Sequence, residues 1–167
     1  MPELKRLNPD LIGRALAKAE RYRLLNEPLE SESICLDILE VDPGNQEALR
    51  WLLLSLTDQI ATGRSRASQD AQALLVKLES EFDRAYYGGV IAERVGKANL
   101  NSGVPRSDFA AYEFLRRAMT LYDRADELSA PDNDDAKLRW NTCARILESN
   151  PRLRPEPEAE RQPITSE

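Results

Sequence analysis

The phrase PGNQEALRW at residues 43–51 returns in altered form as PDNDDAKLRW at residues 131–140. Each copy stops one helix at a proline turn and opens another, with Asn45 or Asn133 placed as the N-cap. A chain punctuated in this way is expected to stack helix–turn–helix units against one another. Such stacks bury apolar faces between neighbouring units and display a surface, so they point to binding before chemistry.

The spacing of apolar residues is helical almost throughout, and no alternating strand pattern is present, so the fold class is all-α with about seven helices. Asn8-Pro9-Asp10 combines a cap, a first-turn proline and an acid suited to the helix dipole. Leu11, Ile12, Ala15, Leu16, Ala19 and Tyr22 mark the buried face of the helix that follows, and Asn26-Glu27-Pro28 ends it and starts the next. Ile34, Cys35, Ile38 and Leu39 line the second helix. The third, over about 46–59, is apolar on most sides, with Leu49, Leu52, Leu53 and Leu56 in one stripe and Trp51 and Leu54 in another. A helix of that kind sits between neighbours.

The stretch ATGRSRAS at 61–68 has no apolar period and is expected to be a mobile loop. Residues 69–99 are too long for one helix of a small domain, so a turn is expected near 79–82. Gly88-Gly89 lies inside the second piece, where each glycine costs about 1 kcal/mol against alanine, and close approach of another helix explains it. A helix from about Ser107 carries Phe109, Tyr112, Leu115, Met119, Tyr122 and Ala125. The last has Leu138, Cys143, Ile146 and Leu147 at core spacing. These make one helical domain over 1–150. The tail, 151–167, has four prolines and one leucine, and is expected to be disordered and dispensable for folding.

Composition removes several function classes. The net charge is −6 and no basic block occurs, which disfavours nucleic acid. The longest apolar run, Trp51–Leu54, cannot span a bilayer, and no leader pattern precedes it, so a cytoplasmic protein without a membrane role is expected. There is no histidine, which removes the commonest general base and metal ligand. Cys35 and Cys143 fall at apolar helical positions and read as reduced core residues. No phosphate loop, cysteine pair or nucleophile motif is present, so no catalytic residue, cofactor or metal is assigned and the chain reads as non-enzymatic.

Residues 12–45 resemble a tetratricopeptide repeat. Ala15, Lys18, Ala19, Tyr22, Ser31, Cys35 and Pro43 fall at its signature spacing, with the consensus residue itself at Tyr22 and Pro43. A 34-residue step brings Leu49, Leu52, Leu53 and Leu56 onto a second repeat, and Ala118, Tyr122 and Ala125 before Pro131 look like part of another. The middle departs from the pattern, since the two proline turns are 88 residues apart. The layout is similar to that of uncharacterised bacterial proteins, which adds no activity. The resemblance implies antiparallel helix pairs stacked as a right-handed α-solenoid, a non-catalytic scaffold binding a protein or peptide partner in its concave groove. It also places Ser31 where the helices of the first pair meet.

First helices would line that groove. Leu16, Glu20, Arg23, Arg50 and Thr57 do not form the carboxylate-gripping pattern of some family members. The groove candidates are Arg50, Tyr86, Tyr87, Arg139 and Asn141, flanked by Arg94 and Arg145. The arginines of the two Arg-Trp pairs would either meet acidic groups from the groove or cap neighbouring helices, while Trp51 and Trp140 read as core. Tyr86 and Tyr87 must face different sides, one of them into the core. Glu93, Arg94 and Lys97 read as a solvated face, as does the acidic band from Glu27 to Glu47, which a basic partner could also use. The alternative function is a self-associating protein, a homodimer in which the apolar third helix packs on a second copy.

Overall fold

A computed structural model of the chain describes residues 3–64 and 66–157. Among them are seven α-helices and no strand: α1 (Ile12–Leu24), α2 (Pro28–Val41), α3 (Gln46–Asp58), α4 (Ala67–Leu74), α5 (Glu81–Leu100), α6 (Ser107–Glu127) and α7 (Asp135–Ser149). Three single 3-10 turns, at 9–11, 60–62 and 75–77, extend the helix ends.

Local chemistry sets the boundaries. Asn8 Oδ1 accepts the Asp10 N–H at 3.0 Å and opens the turn into α1. Asn26 takes φ +62° after α1, a left-handed conformation asparagine tolerates, and Pro28 begins α2. Asn45 caps α3 by accepting the Ala48 N–H at 2.9 Å. Its counterpart Asn133 stands one residue further out: Asp134 is the N-cap of α7, and the Asn133 side chain accepts from the Asp135 N–H.

The break expected near 79–82 falls at 78–80. Leu78 and Ser80 are extended, and Ser80 Oγ caps α5 through the Asp83 N–H. The expected loop at 61–68 is shorter and held down. Arg64 pairs with Glu32 of α2 and with Gln59, and α4 already begins at Ala67.

Successive helices pack on one another: α1 on α2, α2 on α3, α3 on α4, α5 on α6 and α6 on α7. Helix α3 also touches α1 and α5, so its leucines are buried in the chain's own core. Leu54 is the exception, half-buried beside Trp51. Ser31 is fully buried as a small-residue position requires, but the Ser55 hydroxyl of α3 donates to it at 2.8 Å. It thus marks a contact of α2 with α3.

Helices α5 and α6 make the most extensive contact in the molecule. Small residues explain it: Ala85, Gly89, Ala92 and Gly96 recur at helical spacing along α5 and are buried against α6. A Cβ on Gly89 would lie 2.5 Å from the Tyr122 ring, and one on Gly96 would lie 3.0 Å from Leu115. Gly88 has only ordinary contacts, the nearest at 3.5 Å from Leu121.

Two expectations fail at the C-terminal end. Leu138 is 63% exposed, so α7 turns Ala136 and Cys143 inward instead. The packed chain also continues past Asn150. Leu153 is buried against α5, α6 and α7, Arg152 lies 3.4 Å from Asp108, and Glu156 pairs with Arg106. The rest of the expected disordered tail, 158–167, lies outside the described residues. Leu153→Ala is expected to cost about 2 kcal/mol. The measurement is the urea midpoint at unchanged slope; an unmoved midpoint would mean that Leu153 does not hold this segment to the domain.

Candidate functional site

Helix α5 is the axis of the candidate surface, because α3 and α7 both reach it with the same residue. Arg50 and Arg139 each occupy the fifth position of their helix. Arg50 Nη1 donates to Asp83 Oδ2 at 3.0 Å, and Arg139 Nη1 donates to both Glu93 carboxylate oxygens at 3.2 and 3.3 Å. A further bridge links α1, α3 and α5. Asp58 accepts from Arg94 Nη2 at 3.1 Å and from Arg23 Nη2 at 3.4 Å, and Arg23 Nε lies 2.8 Å away without hydrogen-bond alignment. The two arginines of the repeated phrase do meet acids, and those acids belong to this chain.

Glu93 is the centre of the most enclosed polar group. Its side chain is 1% exposed, while Arg139 is 28% exposed. Tyr122 donates its hydroxyl to Glu93 Oε2 at 2.6 Å, and Lys97 reaches Oε1 from the next turn. Burial pushes the carboxyl upward. The Lys97 and Tyr122 hydrogen bonds and the Arg139 charge outweigh it, so the group stays below its ordinary value of 4.5 and is ionised. Burial and the adjacent Glu93 charge push Tyr122 well above the usual tyrosine range, keeping its hydroxyl a donor.

The reading of Glu93 as part of a solvated face is therefore wrong, and the reason is tertiary. Its partners Tyr122 and Arg139 lie 29 and 46 residues away. A local signal was present: Glu93 is in helical phase with Tyr86, Gly89 and Gly96, the face that meets α6 and α7. Asp58 and Asp83 were missed for the same reason.

Tyr86 and Tyr87 divide between the two sides of α5. Tyr86 stacks on Phe82 at 5.5 Å and tilts against Tyr122 at 6.0 Å, within the α5–α6–α7 core. Tyr87 faces α3. With Glu47, Arg50, Trp51 and Leu54 it lines a pocket of about 230 Å³. Burial, then the Asp83 charge, pushes its hydroxyl up to about 12, so it stays neutral.

The structure thus brings Arg50, Tyr86, Tyr87, Arg94 and Arg139 together along α3, α5 and α7. Asn141 and Arg145 lie exposed on α7, away from this group. They are two and six positions on from Arg139, hence rotated by about 200° and 240° around the helix. Trp51 and Trp140 are half-buried, Trp51 at the pocket and Trp140 against the α5–α6–α7 core with its indole N–H unpartnered.

Cys35 and Cys143 are free and buried in different clusters, and burial pushes both thiols up to about 12, so neither is a thiolate. No helix among the described residues is long and apolar enough to cross a membrane. No group of three or more metal-binding side chains occurs among them. No family model, no curated protein and no solved structure matches this chain.

Proposed function

We propose that the chain is a non-catalytic protein-interaction module, a tetratricopeptide-like solenoid of antiparallel helix pairs whose first helices α1, α3, α5 and α7 line a shared groove. A peptide segment or partner helix binds there. One observation carries this reading: each neighbouring pair of those four helices is joined by a guanidinium–carboxylate contact, Arg23–Asp58, Arg94–Asp58, Arg50–Asp83 and Arg139–Glu93. Such contacts hold alternate helices side by side and leave the surface between them open.

The same pairs narrow the chemistry of the partner. The groove arginines are committed to internal acids, so a partner carboxylate would have to displace Asp83 or Glu93. What the surface still presents is Trp51, Leu54 and Tyr87 around the α3–α5 pocket. Its volume suits side chains of a polypeptide better than a whole small ligand. Half-buried tryptophan and tyrosine beside an arginine are the residue types that anchor protein interfaces. The partner therefore inserts an apolar side chain, carried on an extended or helical segment.

The experiment uses a photo-crosslinking amino acid in the native host, at Glu47 on the pocket rim or at Gln72 on the exposed side of α4. Both positions are exposed and make no ion pair among the described residues. Adducts with another protein are expected from position 47 and not from position 72. Adducts from 72 alone would place binding on the other face and remove the groove reading.

A further inference from the structure

The guanidinium–carboxylate contacts of the groove are not all alike. Arg50 faces Asp83 alone, whereas Arg23 of α1 and Arg94 of α5 both reach Asp58 of α3. Among the described residues no other carboxylate is shared by two guanidiniums, and neither arginine has a second acidic partner. The group therefore carries one positive charge in excess.

It is also short of acceptors. A guanidinium has five N–H donors. Arg23 and Arg94 each give one hydrogen bond, and both go to Asp58 Oδ1. Their Nε atoms are buried without a partner. Their Nη1 atoms also lack a protein partner, but these are open to solvent. The two side chains are 17% and 34% exposed, so most of each is withdrawn from water while its donors go unused. Enclosed cations with unmet donors favour an anion that can reach them.

Their position beside the pocket is fixed by helical spacing. Arg50, Leu54 and Asp58 recur every fourth residue along α3, and Asp83, Tyr87 and Arg94 share one face of α5. The Arg50–Asp83 contact, the pocket of Leu54 and Tyr87, and the Asp58–Arg94 contact follow one another in the same order along both helices. Leu54 and Asp58 are one turn apart, about 6 Å along the axis.

We propose that Arg23 and Arg94 receive an aspartate or glutamate side chain of the partner segment, beside the pocket that takes its apolar anchor. This rests on the groove reading above and adds a second recognition element to it. The incoming carboxylate accepts from the two open Nη1 groups. It completes an alternating set of two cations and two anions, so no internal acid has to leave. The spacing sets the partner's register: the acid stands four positions from the anchor on a helical segment, or two on an extended one, about 6 to 7 Å in either case. A basic side chain is refused there by the excess charge.

Random peptides, displayed with their C-termini fused to a phage coat protein, are panned against the full chain. Enriched sequences are expected to pair an apolar residue with Asp or Glu at one of those two spacings. A synthetic copy of the most frequent one, amidated at its C-terminus, should lose about 10-fold in affinity when its acid is changed to the amide. Arg94→Gln in the protein should abolish that difference. Asp58→Asn should tighten binding of the acidic peptide, because the internal competitor for the same donors loses its charge; a bridge that is only structural gives no such gain. Equal affinity of the acid and amide peptides overturns the inference and leaves the groove reading standing, as does an Asp58→Asn chain that gains nothing. No enrichment, or binding unchanged by Leu54→Gln at the pocket, removes the groove reading and this inference together.

Discussion

Replacing Arg139 with leucine is expected to cost the fold about 3 kcal/mol. The substitution keeps the aliphatic volume but removes the guanidinium that faces Glu93. Breaking a buried ion pair at one partner usually costs about 3–5 kcal/mol, because the other charge is left in the interior. The lower end applies here, since Lys97 remains and Arg139 lies near the surface. The effect has a pH signature. Glu93 has its folded-state value below the ordinary 4.5, so its ionised form contributes stability that is present above 4.5 and lost as pH falls through the folded value. The gap between wild type and Arg139→Leu should therefore narrow in acid, as Glu93 takes up a proton and no longer needs a cation. Thermal or urea unfolding across pH 3.5 to 7, about the carboxylate range, measures this. A gap that is constant over the range would mean that the loss reflects packing alone.

Gly89→Ala is expected to destabilise by about 3 kcal/mol, while Gly88→Ala does not. On an exposed helix either change would gain about 1 kcal/mol. At Gly89 the added methyl meets three atoms of the Tyr122 ring, the nearest at 2.5 Å. The ring cannot swing aside cheaply, because it is fully buried and its hydroxyl is bonded to Glu93. Overpacking of this kind costs about 1–3 kcal/mol and more where the neighbour is fixed. At Gly88 the nearest contact is the end of the Leu121 side chain at van der Waals distance, so the helix-propensity gain survives. Equal effects of the two substitutions on the unfolding midpoint would show that α5 and α6 are not as close as described.

Local features of the fold were legible in the chain. Asn45, Pro43, Asn8 and Pro28 set helix ends by chemistry that reaches only three or four residues. The all-helical class followed from periodicity, and Gly89 announced a close approach because glycine inside a helix needs a tertiary reason. Gly96 carries the same message and passed unread, since it is a single glycine between Val95 and Lys97. The candidate surface was legible in part. Repetition of the phrase pointed to Arg50 and Arg139, but not to the acids they hold. Asp83 and Glu93 are separated from those arginines by 33 and 46 residues, and no local pattern encodes which carboxylate a distant guanidinium will find. Leu153 was lost for a related reason: one leucine among prolines looks like a linker until the helices that receive it are in place.

Helix α5 gives Ile91 to the cluster built by α1, α2, α3 and α4, and its neighbour Val90 to the cluster built by α6 and α7. It therefore serves as a party wall, owned by both rooms. The phrase repeated on either side of it gives the chain the look of interchangeable modules that could be added, removed or exchanged at a turn. The wall denies that freedom. A cut before α5 leaves α3 and α4 without their closing face, and a cut after it leaves Tyr122 and Arg139 with no carboxylate to hold. Duplication in the chain's grammar has ended in a sentence that cannot be divided at its middle.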